Sequence, residues 1–339
     1  MNIHDTSMVI FTLASQMAVG SFIILGVVYL VLRRRATPEE TDHVVAPALY
    51  AIGPVMIIGL LASIAHVGDV RNIFNVFLNA ETSWLSREII FGIAFAIAGF
   101  AFALLEWFKK GSLVLRQAVA ALAAVLGILL LWAEAMIYYS LEAVPAWNTW
   151  VVPFMFVASA ILLGALAVGT AMMVATVVRG REPAADADAG PASTDSDSKE
   201  SGGLMGQIRS RFREINAPTT ESEWQFTTRI LAWLALMGAV VAVAIIIVST
   251  IYVGDLSQGG AIALESAAVL SGAKMWWRLL LTGATAILLG FAVYRLAAST
   301  RLSAPRMLAA TMLVTMLLAL VGEFLGRSLH YEAMFRVGI

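Results

Sequence analysis

The chain has 339 residues, of which 60% are hydrophobic and only 13% charged, with a mean hydropathy of +0.84. A soluble domain runs at about 45–50% apolar and about 25% charged, so this composition excludes a water-soluble enzyme, a nucleic-acid binder and a disordered protein. Cysteine is absent, which removes disulfides, thiolate zinc sites and any iron–sulfur cluster held by this polypeptide. The net charge of −1 is uninformative in total, so the placement of the charges carries the argument.

Eight apolar stretches are long enough to cross a bilayer core of about 30 Å. They run roughly Met8–Leu32, Val44–Ala65, Ile89–Trp107, Ala118–Tyr139, Val151–Val178, Ile230–Val253, Leu279–Ala298 and Met307–Leu325. No period-two pattern suggests a barrel, so the expected fold is all-α: a polytopic membrane protein with eight transmembrane helices in a bundle. The first stretch reads as a retained helix with its N-terminus outside rather than as a signal peptide. Its leading MNIHDTS carries no basic residue, while Arg33, Arg34 and Arg35 follow the apolar run.

The remaining Lys and Arg residues give the expected orientation. With the N-terminus outside, the inner connections carry Arg33–Arg35, Lys109, Lys110, Arg116, Arg179, Arg181, Lys199, Arg209, Arg211, Arg213, Arg229, Arg295, Arg301 and Arg306. The outer side keeps Arg71, Arg87, Lys274, Arg278, Arg327 and Arg336. That excess of inner cations predicts both termini outside. Residues 1–181 then form helices one to five and 229–339 form helices six to eight. Between them, 182–203 is acidic, small and free of aromatics, which predicts disorder. Segment 204–228 opens with LMGQIRSRFREI, whose Leu204, Ile208, Phe212 and Ile215 recur at helical spacing between arginines. It reads equally as an amphipathic helix on an anionic inner leaflet or as a plain connecting helix.

Chemistry, if present, belongs to the outer ends, where ionisable groups lie at or within the membrane boundary and cost a few kcal/mol unless paired or wetted. His66 ends the second helix; it is either an ordinary polar helix end or a group that exchanges a proton near neutral pH. Glu88 opens the third helix, where the helix dipole favours a carboxylate. Glu134 lies five residues inside its helix, about 8 Å down, and a carboxylate there needs a partner or a function. Tyr138 follows one turn later. Glu323 and Arg327, at i and i+4, can pair along one face of the last helix. Trp147, Trp150, Trp276 and Trp277 fit an interfacial aromatic belt. Of the four histidines, His43 is inner, whereas His4, His66 and His330 are outer, so no two face each other mid-membrane for bis-histidine haem ligation. Metal-ligand and phosphate-loop motifs are absent from the sequence.

The stretches MVIFTLASQMAVGSFI, SIAHVGDVRNIFNVFLNAETSWLSREI, YYSLEAVPAWNTWVVPFMF, KMWWRLLL and VGEFLGRSLHY together resemble the DmsC-type membrane anchor of dimethyl-sulfoxide-reductase-like complexes. The specific motifs are His-x-Gly at His66–Gly68, the pair Phe74–Asn75, Ser-x-Glu-Ile at Ser86–Ile89 and Gly-Glu-x-x-Gly-Arg at Gly322–Arg327. The resemblance runs through all eight helices and leaves out the acidic linker. It implies an anchor in the cytoplasmic membrane that carries neither haem nor cluster of its own. Its implied partners are a four-cluster iron–sulfur subunit and, through that subunit, a molybdenum or tungsten bis-pterin catalytic subunit. It also implies a site oxidising quinol, menaquinol by expectation, with His66 in the position of the family's quinol-site histidine and Glu88 matching its carboxylate. Arg71, Arg87 and Arg278 are candidates for balancing charge there, with Glu134, Tyr138, Glu323 and Arg327 as further binding candidates. The competing readings are a quinone-active anchor of the NrfD/PsrC type, a purely structural anchor, and a secondary transporter. The last would place polar groups at the midplane in related repeats, which the sequence does not show.

Overall fold

A computed structural model describes residues 3–66, 73–180 and 203–338, and for 3–5, 65, 66 and 73–75 the backbone alone. The described residues are 83% helical, with no strand among them and eight helices long and apolar enough to span a membrane. In chain order the helices are α1 (Ile3–Leu32), α2 (Pro38–His66), α3 (Ile73–Leu78), α4 (Trp84–Trp107), α5 (Leu113–Tyr139) and α6 (Val151–Arg179). They continue with α7 (Leu204–Ile215), α8 (Glu221–Ser257), α9 (Ala261–Leu270), α10 (Ala273–Ile287), α11 (Tyr294–Ser299) and α12 (Arg306–Glu332). A π-helical turn at Leu288–Val293 joins α10 to α11 into the seventh span, whereas α3, α7 and α9 are short connecting helices.

Helix starts follow from local capping chemistry. Thr37 and Glu40 exchange backbone and side-chain hydrogen bonds, and Pro38 occupies the first helical position of α2, where its missing N–H costs nothing. Thr220 and Glu223 form a second capping box, which starts α8 at Glu221, well before the apolar run begins at Ile230. The expected spans are present, but their helices extend beyond the apolar cores.

The helices differ in how far they are enclosed. Of the apolar windows of α1 and α6, 61% and 67% is buried, against 17% for α5, so α1 and α6 form the centre and α5 the rim. The central pair touches backbone to backbone. A Cβ on Gly20 would lie 1.8 Å from the Ala160 carbonyl oxygen, and one on Gly164 would lie 2.4 Å from the Gly20 carbonyl carbon. Small residues are what allow so close a helix approach in lipid, where packing replaces the hydrophobic drive. Around this axis α2, α5, α8 and α12 pack on α1 or α6, α4 pairs with α5, and α10 lies between α8 and α12.

Eight spans return the chain to the end from which it started. One end of the bundle therefore holds the start of α1, His66, Trp84, Tyr139, Val151 and the close of α12; the other holds Leu32, Trp107, Arg179 and Ser299. At that second end α7 packs on α2. Arg179 donates from Nε to the Ile215 carbonyl (2.8 Å) and from Nη2 to the His43 carbonyl (2.9 Å), fixing the last turn of α7 to the spans. Leu204, Met205 and Phe212 remain exposed along α7, while Arg211 turns inward. The acidic segment 182–203 lies outside the described residues apart from Gly203, which precedes α7.

Candidate functional site

The His66 end contains a cluster of buried polar side chains that helical spacing gathers from six helices. On α1, Thr12, Ser15 and Gln16 share a face at i, i+3 and i+4. Helix α5 supplies Glu134 and Tyr138, α6 supplies Phe156 and Ser159, and α12 supplies Glu323, Arg327 and Tyr331. Glu88 comes from α4 and Arg278 from α10. Gln16 is 0% exposed and Glu134 is 1% exposed; Glu88, Arg278, Glu323 and Arg327 are also buried. A bilayer protein that keeps three carboxylates and two guanidinium groups out of water carries a large desolvation cost, which makes this cluster the candidate functional site.

Its connections cross the bundle. The Ser15 hydroxyl donates to Glu134 Oε1. Arg327 donates from Nη2 to Gln16 Oε1 at 3.0 Å, and its guanidinium lies 3.8 Å from the centre of the Phe156 ring, a cation–π contact. Both Glu88 and Arg327 lie within electrostatic reach of Glu134. The Ser159 hydroxyl donates to Glu323 Oε2. Arg278 donates from Nη1 to Ser249 Oγ at 3.3 Å and has Nη2 3.7 Å from Met155 Sδ. Room for that guanidinium comes from Gly326, where a Cβ would lie 2.4 Å from Arg278 Nε. Gln16 faces Glu134, while Glu323 Oε1 and Arg278 Nε remain buried without a partner. Buried polar atoms are ordinarily satisfied, so this acceptor and this donor are available to water or to a bound polar ligand.

An aromatic layer flanks the cluster. The Tyr138 and Tyr331 hydroxyls are 2.9 Å apart, and Tyr331 is 3.2 Å from Thr12 Oγ1, which makes a short hydroxyl chain. His330 stacks on Trp147 at 5.2 Å with 19° between planes and meets Tyr138 edge-on at 4.6 Å. The Trp147 indole donates to the His330 carbonyl at 2.8 Å. Trp147 is thus a buried packing residue and not a member of the interfacial belt, whereas Trp150, Trp276 and Trp277 are exposed as a belt requires.

The candidates fall into three groups. Glu88, Glu134, Tyr138, Arg278, Glu323 and Arg327 meet in this cluster and its aromatic flank. His66 closes α2 at the same end, but its side chain lies outside the described residues, as do Asp69 and Arg71. Arg87 points elsewhere: Nε donates to the Ala80 carbonyl at 2.8 Å, Nη2 to the Glu81 carbonyl at 2.6 Å, and its guanidinium lies 4.2 Å from the centre of the Trp84 ring. It braces the turn between α3 and α4. Two expectations need correction. Glu88 does not open its helix: α4 begins at Trp84 with Ser83 as its cap, which places Glu88 beyond the first turn. Glu323 and Arg327 form no ion pair; Ser159 and Gln16 take their place as partners.

Sequence reasoning did not single out Ser15, Gln16 and Ser159. A glutamine within the apolar run TLASQMAVG was a signal, since an amide in the hydrocarbon needs a partner.

Comparison with known proteins places these features in a family. The family model described as DMSO reductase anchor subunit (DmsC) matches residues 1–182, more than half of the chain and all of α1–α6. The C subunit of the anaerobic dimethyl sulfoxide reductase of Escherichia coli (strain K12) is 34% identical over 145 residues, covering 42% of this protein and 49% of that relative. The corresponding C subunit of Haemophilus influenzae is 27% identical over 173 residues, 51% of this protein and 60% of the relative. The YnfH subunit of an Escherichia coli anaerobic dimethyl sulfoxide reductase is 24% identical over 180 residues, 53% and 62% of the two proteins. The matches span about half to three-fifths of these curated relatives. The family match ends before α8, so Arg278, Glu323 and Arg327 come from helices beyond it. With its multi-pass helical architecture and the matched first 182 residues, the chain belongs to the DMSO reductase anchor subunit (DmsC) family.

Proposed function

We propose that this protein is the membrane anchor and quinol-oxidising subunit of a DMSO-reductase-type respiratory complex, with menaquinol as the expected substrate. The observation that carries the reading is the Glu88–Glu134 pair, buried at the bundle end where His66 closes α2, with Glu323 Oε1 and Arg278 Nε left unpartnered in the same cluster. Oxidising a quinol to a quinone releases two protons and two electrons. A hydroxyl proton needs an acceptor within hydrogen-bond reach and a route to water, and such acid–base assistance contributes about 10²–10⁴-fold. His66 is the first acceptor in this reading, and Glu88 relays the proton outward. Glu134, held by Ser15, orients the substrate, while Arg327 offsets the carboxylate charge. The electrons leave singly to a four-cluster iron–sulfur subunit docked over this end, and from it to a molybdenum or tungsten bis-pterin subunit.

The charge distribution of the loops supports placing this end, with both termini, on the outer side of the cytoplasmic membrane. Protons released there are matched by protons taken up by an external reductase, so turnover moves no net charge across the membrane.

Mild-detergent affinity purification from native membranes, with mass spectrometry and metal analysis, tests the assembly. Co-elution of a cluster protein and a molybdenum or tungsten pterin subunit is expected, and a protein that elutes alone overturns the anchor reading. In the purified complex, His66→Ala and Glu88→Gln should each lower quinol oxidation by at least about tenfold while leaving assembly intact. Wild-type turnover in both overturns the proton route.

A further inference from the structure

The opposite end of the bundle holds a cavity of about 540 Å³ between the α1–α2 pair and the α4–α5 pair, within the size range of ligand pockets. It exists because each pair packs closely within itself while small residues face the gap between pairs. At Gly26 an added Cβ would meet nothing within 4 Å. The walls are apolar, with Phe22, Leu49, Phe102 and Ile128 among them. A second hollow of about 210 Å³ shares Phe22, Leu49 and Tyr50 with the first, so the gap continues towards the α2–α4 side.

Its mouth is charged. Lys109 bridges Asp42 and Glu106, and Arg116 Nη1 pairs with Glu106 at 2.9 Å. Arg211 of α7 pairs with Glu214 at 2.8 Å and approaches Asp42 at 3.8 Å, while Arg33 donates to the Tyr29 hydroxyl at 3.0 Å. Of the charged residues that line the cavity itself, Arg116 and Arg211 balance Asp42 and Glu106. Arg116 Nε is buried without a partner, whereas the Tyr50 hydroxyl and the Arg211 guanidinium face each other; all three residues line the cavity. A guanidinium can only donate, so Arg116 lacks an acceptor, and the Tyr50 hydroxyl, with Arg211 beside it, has its own proton to give.

The depth also has a natural match. From Arg116 to Ile128 is about 18 Å along α5 and from Tyr29 to Phe22 about 10 Å along α1, at about 1.5 Å per residue. Half a hydrocarbon core is about 15 Å. An amphiphile with an anionic head and one tail of half-bilayer length satisfies both the depth and the unpaired donors.

We propose that this cavity binds an anionic phospholipid, one acyl tail filling the apolar gap and the phosphodiester oxygens accepting from Arg116, Arg211 and Tyr50. Because Arg211 belongs to α7, the lipid fastens that helix to the spans. A quinone fits less well: its neutral oxygens accept more weakly from a guanidinium than a phosphodiester does, and Gln16 of the other cluster lies about 20 Å along α1 from Tyr29 at the mouth. The proposal is independent of the quinol reading.

The full-length protein in nanodiscs of equal phosphatidylcholine and phosphatidylglycerol, stripped of bulk lipid and weighed by native mass spectrometry, provides the test. One phosphatidylglycerol should stay with each wild-type molecule. Gly26→Phe, which fills the gap from α1, should lower that retention by about tenfold, and Ala121→Phe should do so from α5 should the first variant not fold. Arg116→Gln should at least halve the preference for phosphatidylglycerol over phosphatidylcholine, by loss of a charge-assisted hydrogen bond. Equal retention of the two lipids by the wild type, undiminished retention in a folded cavity-filled variant, or a quinone as the retained mass would each overturn it.

Discussion

Substituting Gly20 by alanine is the sharpest way to test whether the α1–α6 contact organises the buried cluster. The new Cβ would lie 1.8 Å from the Ala160 carbonyl oxygen, where carbon contacts settle at about 3.5 Å, so the two helices must separate by about 1.5 Å. The blocking atom is backbone, and no rotamer change relieves it. Overpacking of this kind costs about 1–3 kcal/mol. Gly26→Ala supplies the control on the same helix: its Cβ meets nothing within 4 Å, and alanine gains about 0.5–1 kcal/mol over glycine in a helix. Gly20→Ala gains the same helix propensity, so it should unfold about 1–3 kcal/mol more easily than Gly26→Ala in mixed-micelle equilibrium unfolding. Gln16 lies one turn from Gly20, and Ser159 adjoins Ala160, so the same separation should disconnect Arg327 from Gln16 and depress quinol turnover. Equal stability of the two variants, within about 0.5 kcal/mol, would refute the reasoning.

Three further outcomes follow from single contacts. Gly326→Ala should displace the Arg278 guanidinium, which a Cβ would approach to 2.4 Å, and cost about 1–3 kcal/mol in the same unfolding measurement; an unchanged midpoint counts against it. Arg179→Met should free the Ile215 and His43 carbonyls and speed hydrogen exchange in the last turn of α7, each lost charged hydrogen bond being worth about 1.5–3 kcal/mol. Unaltered exchange there would show that α7 is held by other means. Tyr138→Phe should cost only about 0.5–1.5 kcal/mol, since Tyr331 keeps its 3.2 Å contact with Thr12, and a loss of several kcal/mol would reveal a larger role for that hydroxyl.

The spans were legible because apolar length is a property of local composition. Their ends were less so: α8 starts at Glu221 through a Thr220–Glu223 capping box, while the apolar run begins at Ile230. Glu134 stood out because a carboxylate inside an apolar run has few innocent explanations. Ser15 and Ser159 did not, since serine is common in membrane helices and its significance depends on what it faces. The Glu323–Arg327 spacing suggested a local pair, but partners on α1 and α6 took both side chains. Local geometry permits an i,i+4 contact worth a few tenths of a kcal/mol, and tertiary hydrogen bonds in a dry interior outweigh it.

The Arg327–Gln16 hydrogen bond joins residues 311 apart in sequence, and that separation bears on biogenesis. At a synthesis rate of about 5–20 residues per second, roughly 15–60 s pass between the emergence of Gln16 and that of Arg327. Through that interval α1 resides in the nascent membrane protein with its amide and the neighbouring Glu134 lacking the cation of the finished bundle. A ribosome stalled or a transcript truncated before α12 yields a polypeptide whose first helix presents an uncapped amide in hydrocarbon, the kind of defect by which membrane quality control distinguishes unfinished polypeptides from complete ones.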